Sequence, residues 1–455
     1  MNLRDTGHGL LERRLGLKEA AALNMIDMVG IGPFIVVPLV ARSLGGPLAL
    51  CAWVAGAILA VIDGFVWAEL GAAMPLAGGT YNFLKEAYGP GRWGRLMSFL
   101  FIWQTMFQAP MVISSGATGF AQYLTYLLPL GPAGEKLAAV LLIAGLVALL
   151  YRRIDAIGRI SLFLWIGVLC MFAWMIWGGA THFQPSLLFS SGQSVSLFSW
   201  TFFLLLGQST VQTTYTYLGY YNICNLGGEV RDPGRTIPRS IFLSIGGIAV
   251  LYLAMQTGIF GVVPSQDIAS SKFIVSTFIE RLYGRSAADA ATVLILWIAL
   301  ASLFSALLGY SRIPYAAAED GTFFRVFARL HPTKNFPHVS LLVVAAAAAV
   351  FSLFFSLADA IRTVLAVRIL VQFIGQAAGV MILRKRTPPE NLPFRMPFYP
   401  LPAVLACIAW GAVFLSTGTV FVIAGLAVAA TGCVVFLLRA ALIRSWPFRS
   451  KPQTI

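Results

Sequence analysis

The feature that most constrains this chain is a succession of apolar runs of about 20 residues, each closed by a short connection rich in Gly, Pro or charge. A helix needs about that length to cross the hydrocarbon core of a bilayer. With no water at that depth, each run must pair its own backbone groups, so the runs read as helices. Spans are expected at about 20–42, 47–72, 95–127, 134–151, 157–179, 196–226, 238–262, 287–313, 338–357, 361–383, 401–418 and 420–442. Composition agrees. Of 455 residues, 58% are apolar in type and 11% are charged, against about 25% charged in an ordinary soluble domain. A water-facing surface would need far more polar side chains. The expectation is an all-α polytopic membrane protein of about twelve helices, in the cell membrane and bathed in lipid.

The net charge of +14 would suggest nucleic acid if it covered one face of a soluble domain. Here it is dispersed among the connections, so no nucleic-acid partner is expected. An even number of spans puts both termini on one side. With the N-terminus inside, the inside segments hold Arg4, Arg13, Arg14 and Lys18 in the leader; Lys85, Arg92 and Arg95 after span two; and Arg152, Arg153 and Arg159 after span four. They continue with Arg231, Arg235 and Arg239 after span six; Arg312, Arg325, Arg329 and Lys334 after span eight; Arg384, Lys385, Arg386 and Arg395 after span ten; and Arg439, Arg444, Arg449 and Lys451 at the tail. All but seven of the 32 lysines and arginines fall there, so both termini are expected in the cytoplasm. The first residues lack an apolar stretch with a cleavage site and read as a leader, not a signal peptide. The longest connection on the opposite side, about 263–286, contains SSKFIVSTFIERLYG. It reads as an amphipathic helix lying over that face, a lid or a packed surface element.

Two stretches interrupt their spans. In Asn24–Phe34 (NMIDMVGIGPF), two glycines and a proline break an apolar run. Pro33 has no amide proton and clashes with the preceding turn. The freed amides and carbonyls must find partners in mid-membrane. They suit a zwitterion, its carboxylate on amides at a helix N-terminus and its ammonium on carbonyls; a kink packed on a neighbour is the other reading. In span six, GQSTVQTTYTYLGYYN (207–222) is a dense polar stretch with Gly219 as the expected point of unwinding. Polar groups there face each other or a wet cavity; hydrogen bonding between packed helices explains some of them. Interruptions at matching places in two halves point to an inverted-repeat transporter with its site between them.

Acidic residues inside spans are few: Asp27, Asp63, Glu69 and Asp359. Asp27, one turn before the first break, is a candidate for binding a substrate amine or carrying a proton. Asp63 is a second coupling candidate. Arg368 in span ten either pairs with a carboxylate or snorkels outward. Gln104 and Gln108 of span three are candidates for a cavity wall. The histidines (His8, His182, His331, His338) sit in connections without forming a ligand cluster, and the five cysteines show no CxxC pair. A membrane enzyme, metal or cofactor is therefore not expected.

Four stretches carry a resemblance: GGEVRDPGRTIPRSI (227–241), SRIPYAAAEDGTFFRVFARLHPTKNFP (311–337), FRMPFYPLP (394–402) and AELGAAMPLAGGTYNFLKEAYGP (68–90). In order and together, they resemble the loop signatures of amino acid permeases of the amino acid–polyamine–organocation superfamily. The resemblance implies a LeuT-type fold, two inverted five-helix repeats (about 19–180 and 195–384) with discontinuous helices 1 and 6, which the first break and the span-six stretch match. It further implies a leader (1–18), accessory helices 11 and 12 (385–443) and a tail (444–455). Residue by residue, Gly30, Ile31 and Gly32 match the first break. Thr216, Tyr217, Leu218 and Gly219 match the unwound part of span six, and Glu229 matches the acid that closes it. Two departures stand out. Ile31 replaces a small hydroxyl residue, the GPF ending leaning toward the polyamine-uptake branch. Span five also lacks the lysine that many members associate with coupling.

The expectation is a secondary active transporter that moves amino acids, neutral ones first, by alternating access. Its substrate would sit among Gly30, Ile31, Gly32, Asp27, Thr216, Tyr217, Leu218, Gly219 and Gln108, with a proton or sodium as the co-transported ion. Transport of polyamines or cationic amino acids is the alternative, and a receptor that binds without transporting is another.

Overall fold

The structure, a computed structural model, describes residues 11–189, 199–354, 363–364, 366–442 and 446–447. Asp359, the first ten residues of the leader and most of the tail lie outside the described residues.

Helices occupy every expected span. Eight are individually long and apolar enough to cross a membrane: Gly46–Ala73, Trp93–Leu124, Pro132–Leu150, Ile154–Thr181, Pro233–Val262, Arg285–Glu319, Ala366–Arg384 and Thr419–Leu442. Leu17–Met28 and Gly32–Ser43 together make a further span, bent by 45° at the break. Shorter apolar helices, His338–Phe354 and Leu401–Ser416, hold positions nine and eleven. Trp200–Tyr217 holds position six, its apolar run diluted by Gln208 to Thr214. The architecture is that of a polytopic all-α transporter in which helices 1 and 6 are discontinuous.

The span-one break is local chemistry. The first helix ends at Met28, and the second starts with Gly32 and Pro33 at its first turn, where a proline costs no hydrogen bond. Span six stops at Tyr217, runs through Leu218–Tyr221, and resumes as the single turn Asn222–Asn225. Gly219 in this gap has φ of +122°, a conformation that disfavours any residue with a Cβ. Span ten holds a π-helical segment, Ile369–Ile374, directly after Arg368. Such wide turns occur mostly at functional sites.

Bonds among the basic connections put them on one face. Lys85 pairs with Asp320 (2.5 Å), Lys334 Nζ donates to the Tyr151 carbonyl (2.8 Å), and Arg153 reaches Glu12 (3.5 Å). The Arg14 and Leu15 amides both donate to the Glu229 carbonyl (2.9 Å each). Arg384 binds Glu69 through two bonds of 2.6 Å, and Arg439 donates to the Thr322 carbonyl. On the opposite face, the 263–286 connection forms two helices where one was expected, Ser265–Ser270 and Ile274–Tyr283. The second is amphipathic, burying Ile274, Val275, Phe278 and Ile279 while exposing Glu280 and Arg281. A short helix between spans two and three, Thr80–Ala87, went unanticipated because it carries only two turns.

Candidate substrate site

The two breaks cross in contact. A Cβ added to Gly219 would come within 2.7 Å of the Met28 nitrogen and 2.8 Å of the Asp27 carbonyl carbon. One added to Gly32 would meet the Tyr215 ring at 3.1 Å, and one added to Gly30 the Ser302 hydroxyl at 2.8 Å. Glycine at these places lets the span-six backbone reach that of span one and lets the Tyr215 and Ser302 side chains pack against the first break.

Neighbouring side chains meet the freed carbonyls. The Tyr252 hydroxyl lies 2.9 Å from the Met28 carbonyl oxygen and 3.1 Å from that of Thr216, tying the two breaks together. Ser302 donates to the Asp27 carbonyl (3.3 Å) and Ser305 to that of Leu23 (2.7 Å). The Asn24 side chain accepts from the Ile223 amide (2.9 Å). The amides fare differently. Among the described residues, those of Gly30, Ile31, Gly32 and Phe34 donate to no protein acceptor. They form the N-terminus of Gly32–Ser43, where amides and helix dipole together favour an anion.

Between the breaks lies a cavity with about 90 Å³ open to the centres of water-sized molecules, several times the ~10–15 Å³ that one water needs. Of the residues expected in the site, Asp27, Gly30, Ile31, Gly32, Thr216, Leu218 and Gly219 line it. Tyr217 and Gln108 do not. The helix turns the Tyr217 ring away from the cavity, against Trp53 and Tyr252 at centroid distances of 6.4 and 5.3 Å. Gln108 stands one layer back and donates to the Tyr310 hydroxyl (2.9 Å), which does line the cavity. Gln104 is buried, with neither amide atom bonded to a described residue. The Thr216 hydroxyl donates back to the Thr213 carbonyl (2.7 Å).

Asp63 also lies outside the cavity. Its carboxylate accepts from Trp67 Nε1 (2.8 Å), the Tyr220 hydroxyl (2.5 Å) and Trp410 Nε1 (3.0 Å). It is the hub of an aromatic cluster in which Trp67 stacks on Tyr221 and Phe373 on Trp410. That cluster supports Tyr221, whose hydroxyl accepts from Arg368 Nη2.

Arg368 is the residue that sequence reasoning undervalued. It does not snorkel. Only 3% exposed, it turns inward to line the cavity with Asp27. Nε donates to Gln372 (3.2 Å), and the guanidinium sits 5.1 Å from the Phe373 ring centre. Arg368, Gln372 and Gln376 recur at intervals of four in an otherwise apolar span. That polar stripe was the available signal that this face is turned from lipid. The single hydroxyls of Ser115, Ser302 and Tyr310, also at the cavity wall, carry no comparable pattern.

Comparisons with known proteins identify the family. The amino acid permease family matches residues 15–438. The chain belongs to that family. This permease is similar to a serine/threonine exchanger of Bacillus subtilis, 24% identical over 419 residues, covering 89% of this chain and 90% of the exchanger. It is similar to an aspartate–proton symporter of the same organism, 25% identical over 410 residues (85% and 76% of the two chains). It also resembles a cationic amino acid transporter of Mus musculus, 24% identical over 413 residues (84% and 61%). The permease is a multi-pass membrane protein and a secondary amino acid transporter, with a small-molecule amino acid as substrate.

Proposed function

We propose that the cavity between the two breaks holds the amino acid during transport, and that spans one and six carry it between the two membrane faces by alternating access. The observation that carries this reading is one cavity lined both by residues whose amides are unpaired among the described residues (Gly30, Ile31, Gly32) and by Asp27. The amides suit the α-carboxylate. Asp27 and the carbonyl end of Trp200–Tyr217 suit the α-ammonium, since a helix C-terminus carries partial negative charge.

Positive-inside logic assigns the basic face, and with it both termini, to the cytoplasm. Two bidentate ion pairs fasten that face, Arg312–Glu229 and Arg384–Glu69, and would have to part or move as the cavity opens toward the cytoplasm. The two five-helix repeats, about 19–180 and 195–384, would rock against each other around the cavity. A proton on Asp27 is the coupling step best supported, because Asp27 lines the cavity while Asp63 is enclosed by its three donors. The relatives' names span hydroxylic, acidic and cationic amino acids, so kinship leaves the side chain open. Arg368 at the cavity wall disfavours the polyamine and cationic reading by like-charge repulsion.

Purified protein in vesicles should take up labelled amino acid saturably, and an imposed proton gradient should accelerate uptake. Absence of uptake and exchange for every amino acid, under proton and sodium gradients alike, would remove the transport cycle and leave a binding protein.

A further inference from the structure

We infer that Arg368 is a specificity residue that receives a second carboxylate, making an acidic amino acid the preferred substrate. The inference rests on the transport reading and names the substrate class of that same cavity.

Asp27, Arg368 and the span-one residues with unpaired amides line one cavity. Of the three buried or largely buried arginines that matter here, Arg312 and Arg384 each grip a carboxylate with two nitrogens. Arg368 has no carboxylate partner among the described residues; its partners there are an amide oxygen and a phenol. Asp27 shares the cavity but is not bonded to Arg368, and a guanidinium buried at membrane depth with no carboxylate in its fork is unfavourable. Its five N–H groups form a fork matched to a carboxylate.

The fork is held ready. Gln372 takes the Nε proton and Tyr221 one of the Nη2 protons, fixing the plane of the group. Nη1 donates to no described residue. Tyr221 is itself braced by stacking on Trp67 at 4.3 Å. The π-helical turn that starts at Ile369 adjoins the residue, as expected where a helix re-aims one side chain toward a site.

The cavity therefore presents two positions for anions, the helix N-terminus and Arg368, and one for a cation, Asp27 with the span-six carbonyls. A molecule with two carboxylates and one ammonium fills all three. A neutral amino acid leaves the Arg368 fork without a carboxylate. A basic one adds like charge beside it.

The test compares aspartate with asparagine, which match in shape and differ in the side-chain charge. Both are offered to wild type, Arg368→Met and Arg368→Lys in vesicles, and their binding to purified protein is followed by thermal shift. Wild type should favour aspartate by tenfold or more in uptake and in apparent affinity. Arg368→Met should lose that preference at least tenfold while still binding asparagine, and Arg368→Lys should recover part of it. A residue that merely props up the cavity would lower both solutes together and leave the ratio unchanged, which overturns the inference. So does a wild type that favours asparagine. Aspartate binding that depends on Arg368, without uptake, upholds the inference and defeats the transport reading; failure of aspartate to bind wild type defeats the inference whatever asparagine does.

Discussion

Arg312 and Arg368 are both buried in helices of the transport core, at 1% and 3% exposure, yet they have opposite surroundings. Arg312 sits at the basic face, bonded to Glu229 through Nε (3.1 Å) and Nη2 (2.8 Å) and to Ser311 through Nη1 (2.9 Å). Glu229 in turn takes the Arg14 and Leu15 amides on its own carbonyl, so the leader is strapped over the pair. Arg368 is bonded to neutral groups and opens on a cavity. A buried cation whose fork is filled by its own protein is a fastening. One whose fork is left part empty beside a cavity is a receptor for something that arrives. The same residue type, buried to a similar extent, thus serves as a fastening at the basic face and, on the proposal above, as a receptor at the cavity.

The contrast predicts opposite outcomes for the same kind of substitution. Arg312→Met leaves Glu229 buried without its partner, a loss of about 3–5 kcal/mol for such pairs. It should lower the yield of folded protein and the thermal midpoint sharply. Arg368→Met removes a cation that has no paired carboxylate among the described residues and should leave the midpoint near wild type. Comparable loss in both, measured by thermal unfolding in detergent, would erase the distinction between fastening and receptor. The next effect is at Gly219. An alanine there must displace the span-one backbone, since its Cβ would lie 2.7 Å from the Met28 nitrogen, and must adopt φ near +122°. Strained backbone of that kind costs about 1–3 kcal/mol. Uptake by Gly219→Ala should fall about 10–100-fold with the protein still folded. Normal uptake would mean that the two breaks need not touch.

How much of this could be read from the chain follows from where the physics is local. The spans were legible because each is a long apolar run that needs no knowledge of its neighbours. The breaks were legible for a related reason: Gly30, Gly32, Pro33 and Gly219 carry their conformational meaning with them. Asp27 stood out because a carboxylate in an apolar run is costly wherever it points. What was hidden depended on packing. Tyr217 and Leu218 are adjacent in sequence and equally plausible as site residues, yet one packs on Trp53 and the other faces the cavity. Arg368 was visible as a charge, but whether it turned to lipid headgroups or inward depended on the contact of span ten with Tyr221. Tyr252 gave no sequence signal, because a lone tyrosine in a long span reads as packing until its hydroxyl is seen between two freed carbonyls.

Asp27 supplies the third step of the comparison, since it is the cavity's own negative charge opposite Arg368. Asp27→Asn keeps shape and removes charge. If Asp27 meets the substrate ammonium, apparent affinity should fall about 10–150-fold, the scale of one charge-assisted hydrogen bond of about 1.5–3 kcal/mol. If it also carries the coupled proton, uptake should stop responding to an imposed proton gradient while exchange of internal for external substrate persists. A gradient response as strong as in wild type would restrict Asp27 to binding.

The smallest effect is expected at Tyr252, which touches neither arginine and instead links the breaks between them. Its hydroxyl has one proton and two carbonyls within reach, at 2.9 and 3.1 Å. Tyr252→Phe keeps the ring, which packs edge-on against Trp53 and Tyr217, and removes that tie alone. A neutral hydrogen bond of this kind contributes about 0.5–1.5 kcal/mol, so uptake should drop no more than about tenfold and the fold should survive. Its value lies in the pattern across solutes. Because the tie holds both breaks in register, aspartate and asparagine should weaken together in Tyr252→Phe, whereas Arg368→Met should separate them. A Tyr252→Phe protein that changed the aspartate-to-asparagine ratio would show that selectivity is distributed over the breaks as well as carried by the arginine.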